Sequence, residues 1–291
     1  MNQVERLTWL EQVMLDFYSE RSVAPRLVET ILYSVQAGGK RLRPLLFLEL
    51  LEGFGLSLTQ AHMQVAAALE MIHTGSLIHD DLPVMDDDDY RRGRLTSHKK
   101  FGEDMAILAG DSLFLDSYAL VAMSELPSQV RVELIAELSQ AAGTFGMVGG
   151  QVLDMQGEKR SLTLAELQDV HAHKTGKLLA YPFVAAGIIV GVEEHHKAVL
   201  REIGEWLGLA FQVRDDILDV TASFEELGKT PKKDLVAAKS TYPALLGLQE
   251  ATAYLEMTLD KVVSGLAALE AQSSFQADKI REIVEGLRLD G

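Results

Sequence analysis

The chain has 291 residues, enough to bury a sizeable core or to enclose a cavity as one or two domains. Its 43 acidic residues outnumber 27 basic ones, and the net charge of −16 argues against broad binding to a nucleic acid backbone or an anionic membrane surface. A polyanionic substrate would need a local basic site. The lack of cysteine removes disulfides, thiolate nucleophiles and cysteine zinc sites, and agrees with a reducing, cytoplasmic setting.

The first residues, MNQVERLTWLEQ, show no basic region followed by an apolar run, so no signal peptide is expected. Ala, Leu, Glu and Gln are abundant, prolines number only seven, and spaced runs of alternating β-branched residues are missing, so helix is favoured nearly throughout. A first break falls at Gly38 and Gly39. From Ala61 to Ile78 the apolar residues Val65, Ala68, Leu69 and Ile72 recur at the three-and-four spacing of a helix face. Similar faces follow near 104–125, 129–147, 163–190, 196–219, 243–268 and 276–287. Further breaks are expected at Asp86 to His98, at Gly149 and Gly150, and across Phe224 to Thr241. Leu178 to Val192 is the longest apolar window, but its 15 residues hold Pro182, Gly187 and Gly191 and fall short of a membrane span, so it reads as a buried helix. No fixed period links the segments and no flexible linker divides them. The expectation is one all-α domain over residues 1–291 with no stable membrane insertion.

Within this helical pattern, residues 78–94 read IHDDLPVMDDDDYRRGR, with six aspartates in the ten positions from Asp80 to Asp89. Two carboxylates 4 Å apart repel by about 4 kcal/mol at an effective dielectric near 20, so a packed cluster calls for cations. Alone, the run reads first as a solvated acidic loop, and the rest of the chain has to decide. Asp80 and Asp86 would point to nearly opposite sides of a regular helix, but Pro83 cannot donate the helical hydrogen bond, and a helix ending there lets the acids curl together. A second run, FQVRDDILD at 211–219, sets Asp215 and Asp219 on one helix face beside Asp216, among apolar Phe211, Val213, Ile217 and Leu218. It reads as a metal or phosphate site or as an acidic turn of an amphipathic helix. Burying its carboxylates without cations would be costly. His73 lies seven residues before Asp80 and so shares its face.

DDxxxxD at 80–86 and DDxxD at 215–219 resemble the paired aspartate-rich motifs of the trans-isoprenyl diphosphate synthases, and the likeness is greatest to bacterial short-chain farnesyl and geranylgeranyl diphosphate synthases. GGKRLRP at 38–44, HTGSLIHDDLPVMDDDDYRRG at 73–93, LAGDSLF at 108–114, GGQVLD at 149–154, HKTG at 173–176, LGK at 227–229 and KSTYPALLG at 239–247 extend the resemblance over most of the chain. It implies a single large helical bundle around a central apolar cavity, a homodimer, and Mg²⁺-dependent condensation of isopentenyl diphosphate with an allylic diphosphate (dimethylallyl, geranyl or farnesyl). It also implies three Mg²⁺ ions on Asp80, Asp81, Asp86, Asp215 and Asp219. Mg²⁺ suits few carboxylates because substrate phosphates and waters complete its shell. Lys40, Arg43, His73 and Arg92 are implied to bind isopentenyl diphosphate, and Arg91, Lys174 and Lys229 the allylic diphosphate. Thr175 and Gln212 are implied to offer oxygen atoms to the developing cation. No side chain reads as a strong general base, so released pyrophosphate is the expected proton acceptor. Gly149, Gln151 and Asp154 are expected to support the site from behind, since GGQ reads as a tight helix contact as much as a ligand, and Asp87 to Asp89 to be solvated.

Chain length is expected to turn on Gly75, with Ser76, Met71 and Ile72 around it. Farnesyl-producing relatives usually carry an aromatic floor at position 75. Without it, Met71 and Ile72 lie one turn, about 5.4 Å, deeper, which predicts the twenty-carbon geranylgeranyl product. The fifteen-carbon farnesyl product is the alternative if a facing helix supplies the floor, and Gly75 could instead serve helix packing. Two departures from the family pattern are Lys233, where a glycine usually precedes Asp234, and the ending GLRLDG, which lacks basic residues. A terpene cyclase is a rival reading, but it would usually pair its aspartates with an Asn, Ser and Glu metal motif. A non-catalytic partner subunit would be expected to have lost one acidic motif.

Overall fold

The computed structural model describes residues 1–19, 23–158, 160–221 and 240–289. They divide into two compact units, residues 1–48 with 58–135 and residues 49–57 with 136–291. Each has its own helices, and the boundary runs inside two of them.

The first unit contains α1 (Gln3–Ser19), α2 (Pro25–Val35), the start of α3 (Leu42–Gly53) and α4 (Gln60–Asp80). After a turn come two short strands, β1 (Tyr90–Arg91) and β2 (Arg94–Leu95), then α5 (Ser97–Phe101), α6 (Glu103–Ala122) and the first half of α7 (Ser128–Ala142). Pro25 opens α2, where a missing N–H costs nothing. Thr59 and His62 form a reciprocal capping box at the start of α4. Beyond it α4 is apolar on nearly every side, and Ala66, Ala67, Ala68, Leu69, Met71 and Ile72 are all shielded from solvent. Such a helix belongs in a core rather than on a surface. Its main partner is α6, and small residues let the two approach closely. A Cβ on Gly110 would overlap the ring of His79, and His79 Nε2 lies 3.0 Å from the carbonyl oxygen of Ile107.

The second unit contains α8 (Met147–Gly157), α9 (Leu164–His171), a π-helical turn (Ala172–Gly176), α10 (Lys177–Val190) and α11 (Glu194–Thr221). It closes with α12 (Tyr242–Leu246), α13 (Leu248–Gln272) and α14 (Asp278–Glu285). Thr163 and Glu166 cap α9 reciprocally. The Leu178 to Val192 window is indeed a buried helix, with Leu178 to Ile188 inside the unit.

Three expectations about breaks need correction. Gly149 and Gly150 do not interrupt a helix; they lie within α8, and the break comes earlier, around Gly143 to Gly146, where a Cβ on Gly146 would overlap the backbone of Ala141. The face near 163–190 is two helices joined by the π turn. The face near 243–268 is cut at Gly247, whose φ of 82° suits glycine. The all-α class stands, with one two-stranded ribbon added: Tyr90 pairs with Leu95 and Arg91 with Arg94. Among the described residues one helix, α6, is long and apolar enough to cross a membrane, and it packs on α4, α2 and α5.

Candidate active site

In the first unit α4 ends at Asp80 and the chain curls back on itself. The amide of Met85 donates to Leu82 O at 2.9 Å, and that of Asp86 donates to Asp80 O at 2.8 Å. Asp87 continues with a φ of 49°. Pro83 thus ends the helix and returns Asp86 to Asp80, as its chemistry required. Asp81 is buried, and Arg91 grips one of its carboxylate oxygens with both Nε and Nη2, at 2.7 and 2.6 Å. Burial raises the pKa of Asp81, Arg91 lowers it, and Asp88 and Asp86 raise it again by repulsion. Asp87 and Asp89 are solvated as expected and share Lys99. Asp88 differs: it is partly covered and lies 3.7 Å from Arg91.

The hairpin explains how two adjacent arginines part company. Arg92 and Gly93 form its two-residue loop with φ of 53° and 74°, the geometry of a tight turn matched to strand twist. Arg91 sits on the strand and reaches Asp81. Arg92 turns the other way and donates to Gly38 O. A Cβ on Gly39 would lie 2.6 Å from the Arg92 guanidinium carbon, so only glycine admits that side chain. Lys40 is exposed beside this loop, and Arg43 follows at the start of α3 with its Nε buried and without a partner among the described residues. Burial lowers the Arg43 pKa to about 10, leaving it charged at neutral pH. His73 is held well below its ordinary value, first by burial and then by Arg43, Arg92, Arg91 and Arg41, so its ring is neutral. Arg43, His73 and Arg92 thus lie close enough to act on one another electrostatically, and Arg92 also lines a cavity with Arg91 and Asp81.

In the second unit a cavity of about 150 Å³ is lined by Asp154, His171, Lys174, Thr175, Gln212 and Asp215, among others. Lys174 and Thr175 lie in the π turn, an irregularity often found at functional positions. Glycines grip that turn from two sides. A Cβ on Gly150 of α8 would overlap the Lys174 backbone, and one on Gly208 of α11 would come within 2.6 Å of Gly176 Cα. One turn beyond Gly150, Asp154 holds the Lys174 ammonium at 2.5 Å. Gln212, Asp215 and Asp216 all line the cavity from α11, and the buried Asp216 also accepts the amide of Tyr242 at 2.9 Å at the start of α12. Asp219 is buried one turn after Asp215. Burial pushes the His171 pKa down to about 4. Lys229, Lys233 and Asp234 lie outside the described residues, as does the end of GLRLDG.

Of the residues expected to set chain length, Met71 and Ile72 are fully buried and Ser76 is partly so, its hydroxyl donating to His73 O at 2.9 Å. Gly75 faces α6: a Cβ there would stand 3.1 Å from the Phe114 ring, 3.2 Å from Gly110 O and 3.3 Å from Leu113 Cβ. The bare glycine therefore does serve helix packing.

No three acidic or histidine side chains among the described residues converge as a ready-made metal cage. The donors nevertheless fit Mg²⁺, which takes oxygen ligands and needs only one or two carboxylates beside phosphates and water. Arg91 on Asp81 also marks a place where positive charge is wanted. Sequence reasoning passed over Arg41 and Glu70, although a lone acid within the apolar run AAALEMI was a signal, since a buried carboxylate needs a partner.

Residues 24–280 match the polyprenyl synthetase family model, so the chain belongs to that family, that of the trans-isoprenyl diphosphate synthases, and is a prenyltransferase. Among its relatives, the farnesyl diphosphate synthase of Micrococcus luteus is 49% identical over 262 residues, covering 89% of each chain. The chloroplastic geranylgeranyl pyrophosphate synthase of Catharanthus roseus is 44% identical over 252 residues, covering 86% of this chain and 70% of that one. A Helicobacter pylori geranyltransferase, solved with magnesium and isoprenyl diphosphate, superposes with a TM-score of 0.80 at 34% identity, covering 98% of this chain and 96% of that chain.

Proposed function

We propose that this enzyme condenses isopentenyl diphosphate with an allylic diphosphate, using Mg²⁺, and stops at the twenty-carbon geranylgeranyl diphosphate. The observation that carries the reading is the divergence of Arg91 and Arg92, one gripping the Asp81 carboxylate and the other donating to the Gly38 carbonyl in the loop that carries Lys40. Such a pair serves two diphosphates, one held through metal and one held by cations alone. Lys40, Arg43, His73 and Arg92 bind isopentenyl diphosphate. Arg91, Lys174 and Lys229 bind the allylic diphosphate, for which the guanidinium fork and the compact ammonium are both suited. Asp80, Asp81 and Asp86 in the first unit and Asp215 and Asp219 in the second would hold Mg²⁺, three ions in all, and the bound metal would supply positive charge for the leaving pyrophosphate.

In the reaction the allylic C–O bond breaks and pyrophosphate leaves with the bonding pair. The double bond of isopentenyl diphosphate then attacks the cation, and a proton is lost to the released pyrophosphate. Thr175 and Gln212 turn oxygen dipoles toward the cation without capturing it. The neutral His73 can donate one hydrogen bond to a phosphate oxygen without adding another full charge beside the arginines. A homodimer agrees with the exposed apolar side chains Ile107, Leu108 and Leu115 along α6, and sedimentation that gave a monomer would remove that part alone.

Product length rests on position 75, which carries no ring. A second reading, the fifteen-carbon product, is favoured by Phe114, whose ring reaches the Gly75 backbone from α6 and could form the floor in its place. Chromatography of dephosphorylated products decides between them. The native chain is expected to yield twenty carbons, with Gly75→Tyr moving the product to fifteen. Native farnesol that lengthens to geranylgeraniol in Phe114→Ala would establish the second reading instead. No elongated product at all would overturn both.

A further inference from the structure

Near Arg43 and Arg92 lies a charge that the proposed reaction does not use. Glu70, in the middle of α4, is 1% exposed, and its carboxylate lies 2.6 Å from Arg41 Nη1. Arg41 is itself buried and stands in the left-handed region with a φ of 49°, a conformation unusual for a residue with a side chain. Its other guanidinium nitrogen donates to Val35 O at the end of α2. The residues between those two anchors, 36–40, form the loop that carries Gly38, Gly39 and Lys40, and Gly38 O receives Arg92. The same carboxylate supports the charge of both Arg43 and Arg92, each of which burial would otherwise weaken. One buried acid thus faces three arginines, and only Arg41 takes it in a direct ion pair.

We propose that Glu70 is a positioning residue: through Arg41 it clamps the 36–41 loop and so fixes Lys40, Arg43 and Arg92 for the metal-free diphosphate. This deepens the reading that those three residues bind isopentenyl diphosphate and rests on it. A carboxylate near an anion site otherwise makes little sense, because its field repels the ligand. Its presence is explained if order in the cradle matters more than total charge. Preorganised donors gain their strength from geometry fixed before the ligand arrives.

The two influences have opposite signs, which makes the test decisive. In steady-state kinetics of the full chain with each substrate varied in turn, Glu70→Gln is expected to raise KM for isopentenyl diphosphate about tenfold or more, the scale of one lost charged hydrogen bond. KM for the allylic diphosphate should change less than about twofold. If charge alone mattered, removing the acid would lower the isopentenyl KM; a lowered or unchanged value overturns the proposal. Equal rises in both KM values would make Glu70 merely structural and also overturn it. Should the single variant not fold, Arg41→Met combined with Glu70→Met removes the buried ion pair as a unit and is expected to fold with the same selective rise. Arg43→Ala separates the two layers. If it leaves the isopentenyl KM unchanged, the assignment of these residues fails and the proposal with it. If Arg43→Ala raises that KM while Glu70→Gln does not, the positioning role alone is wrong.

Discussion

The two aspartate-rich motifs present their acids in different ways. In the first unit they lie where a helix stops, on a curl made by Pro83, by Asp87 at positive φ and by the return of the Asp86 amide to Asp80. In the second, Asp215 and Asp219 ride a continuous helix of 28 residues, and the irregularity has moved to the partner segment, the π turn holding Lys174 and Thr175. Each unit's acidic motif therefore stands beside one regular element and one strained or irregular one. Its cation is also engaged by a carboxylate of the same unit, Arg91 by Asp81 and Lys174 by Asp154. A diphosphate that arrives with its metal ions offers these cations new partners, so the existing pairs hold them ready without dedicating them elsewhere.

The largest expected effect tests whether the two acidic motifs are equivalent despite this difference. Asp80→Ala and Asp215→Ala should each lower turnover by about 100-fold or more while helical content by circular dichroism is unchanged, because oriented metal charge acts chiefly on the transition state. Near-full turnover of Asp215→Ala at limiting Mg²⁺ would reduce the second motif to surface charge and break the comparison. A smaller effect is expected at Asp154. Asp154→Asn removes the partner of Lys174, and KM for the allylic diphosphate should rise about tenfold to a hundredfold, with the isopentenyl KM held. If both move together, the π turn has lost its shape and the ion pair is structural.

The smallest expected effect concerns proton linkage in the second unit. His171 has an ordinary pKa of 6.5 that falls to about 4 when folded, chiefly through burial. Between those values the unfolded chain holds a proton that the native one does not, so stability falls as pH drops through that window, by at most about 1.4 kcal/mol per pH unit. Urea unfolding at about pH 7 and about pH 5 should show that loss shrinking in His171→Phe. An unchanged pH dependence would mean that the ring is not shielded in solution.

Legibility in the sequence followed the regularity of the backbone. The spacing of Asp215 and Asp219, the apolar faces of α4 and α11 and the burial of α10 could all be read, because a helix converts spacing into direction by a fixed rule. Pro83 carried enough chemistry to predict the curl around Asp80 and Asp86. What stayed hidden depends on distant partners. GGQVLD read both as a break and as a tight helix contact, and only the contact holds, since Gly150 lets α8 touch a π turn whose position the sequence does not show. Arg41 and Glu70 are 29 positions apart, and nothing in either neighbourhood names the other. Gly75 was ambiguous for the same reason: its neighbour Phe114 belongs to another helix.

The central claim is that neighbouring arginines serve different diphosphates because one stands on a strand and the other in the turn. Initial rates of Arg91→Gln and Arg92→Gln, each with both substrates varied independently, test it most directly. Arg91→Gln is expected to raise KM for the allylic diphosphate about tenfold or more and to leave that for isopentenyl diphosphate nearly unchanged, and Arg92→Gln is expected to do the reverse. Two variants that weaken the same substrate, or both substrates alike, would contradict it.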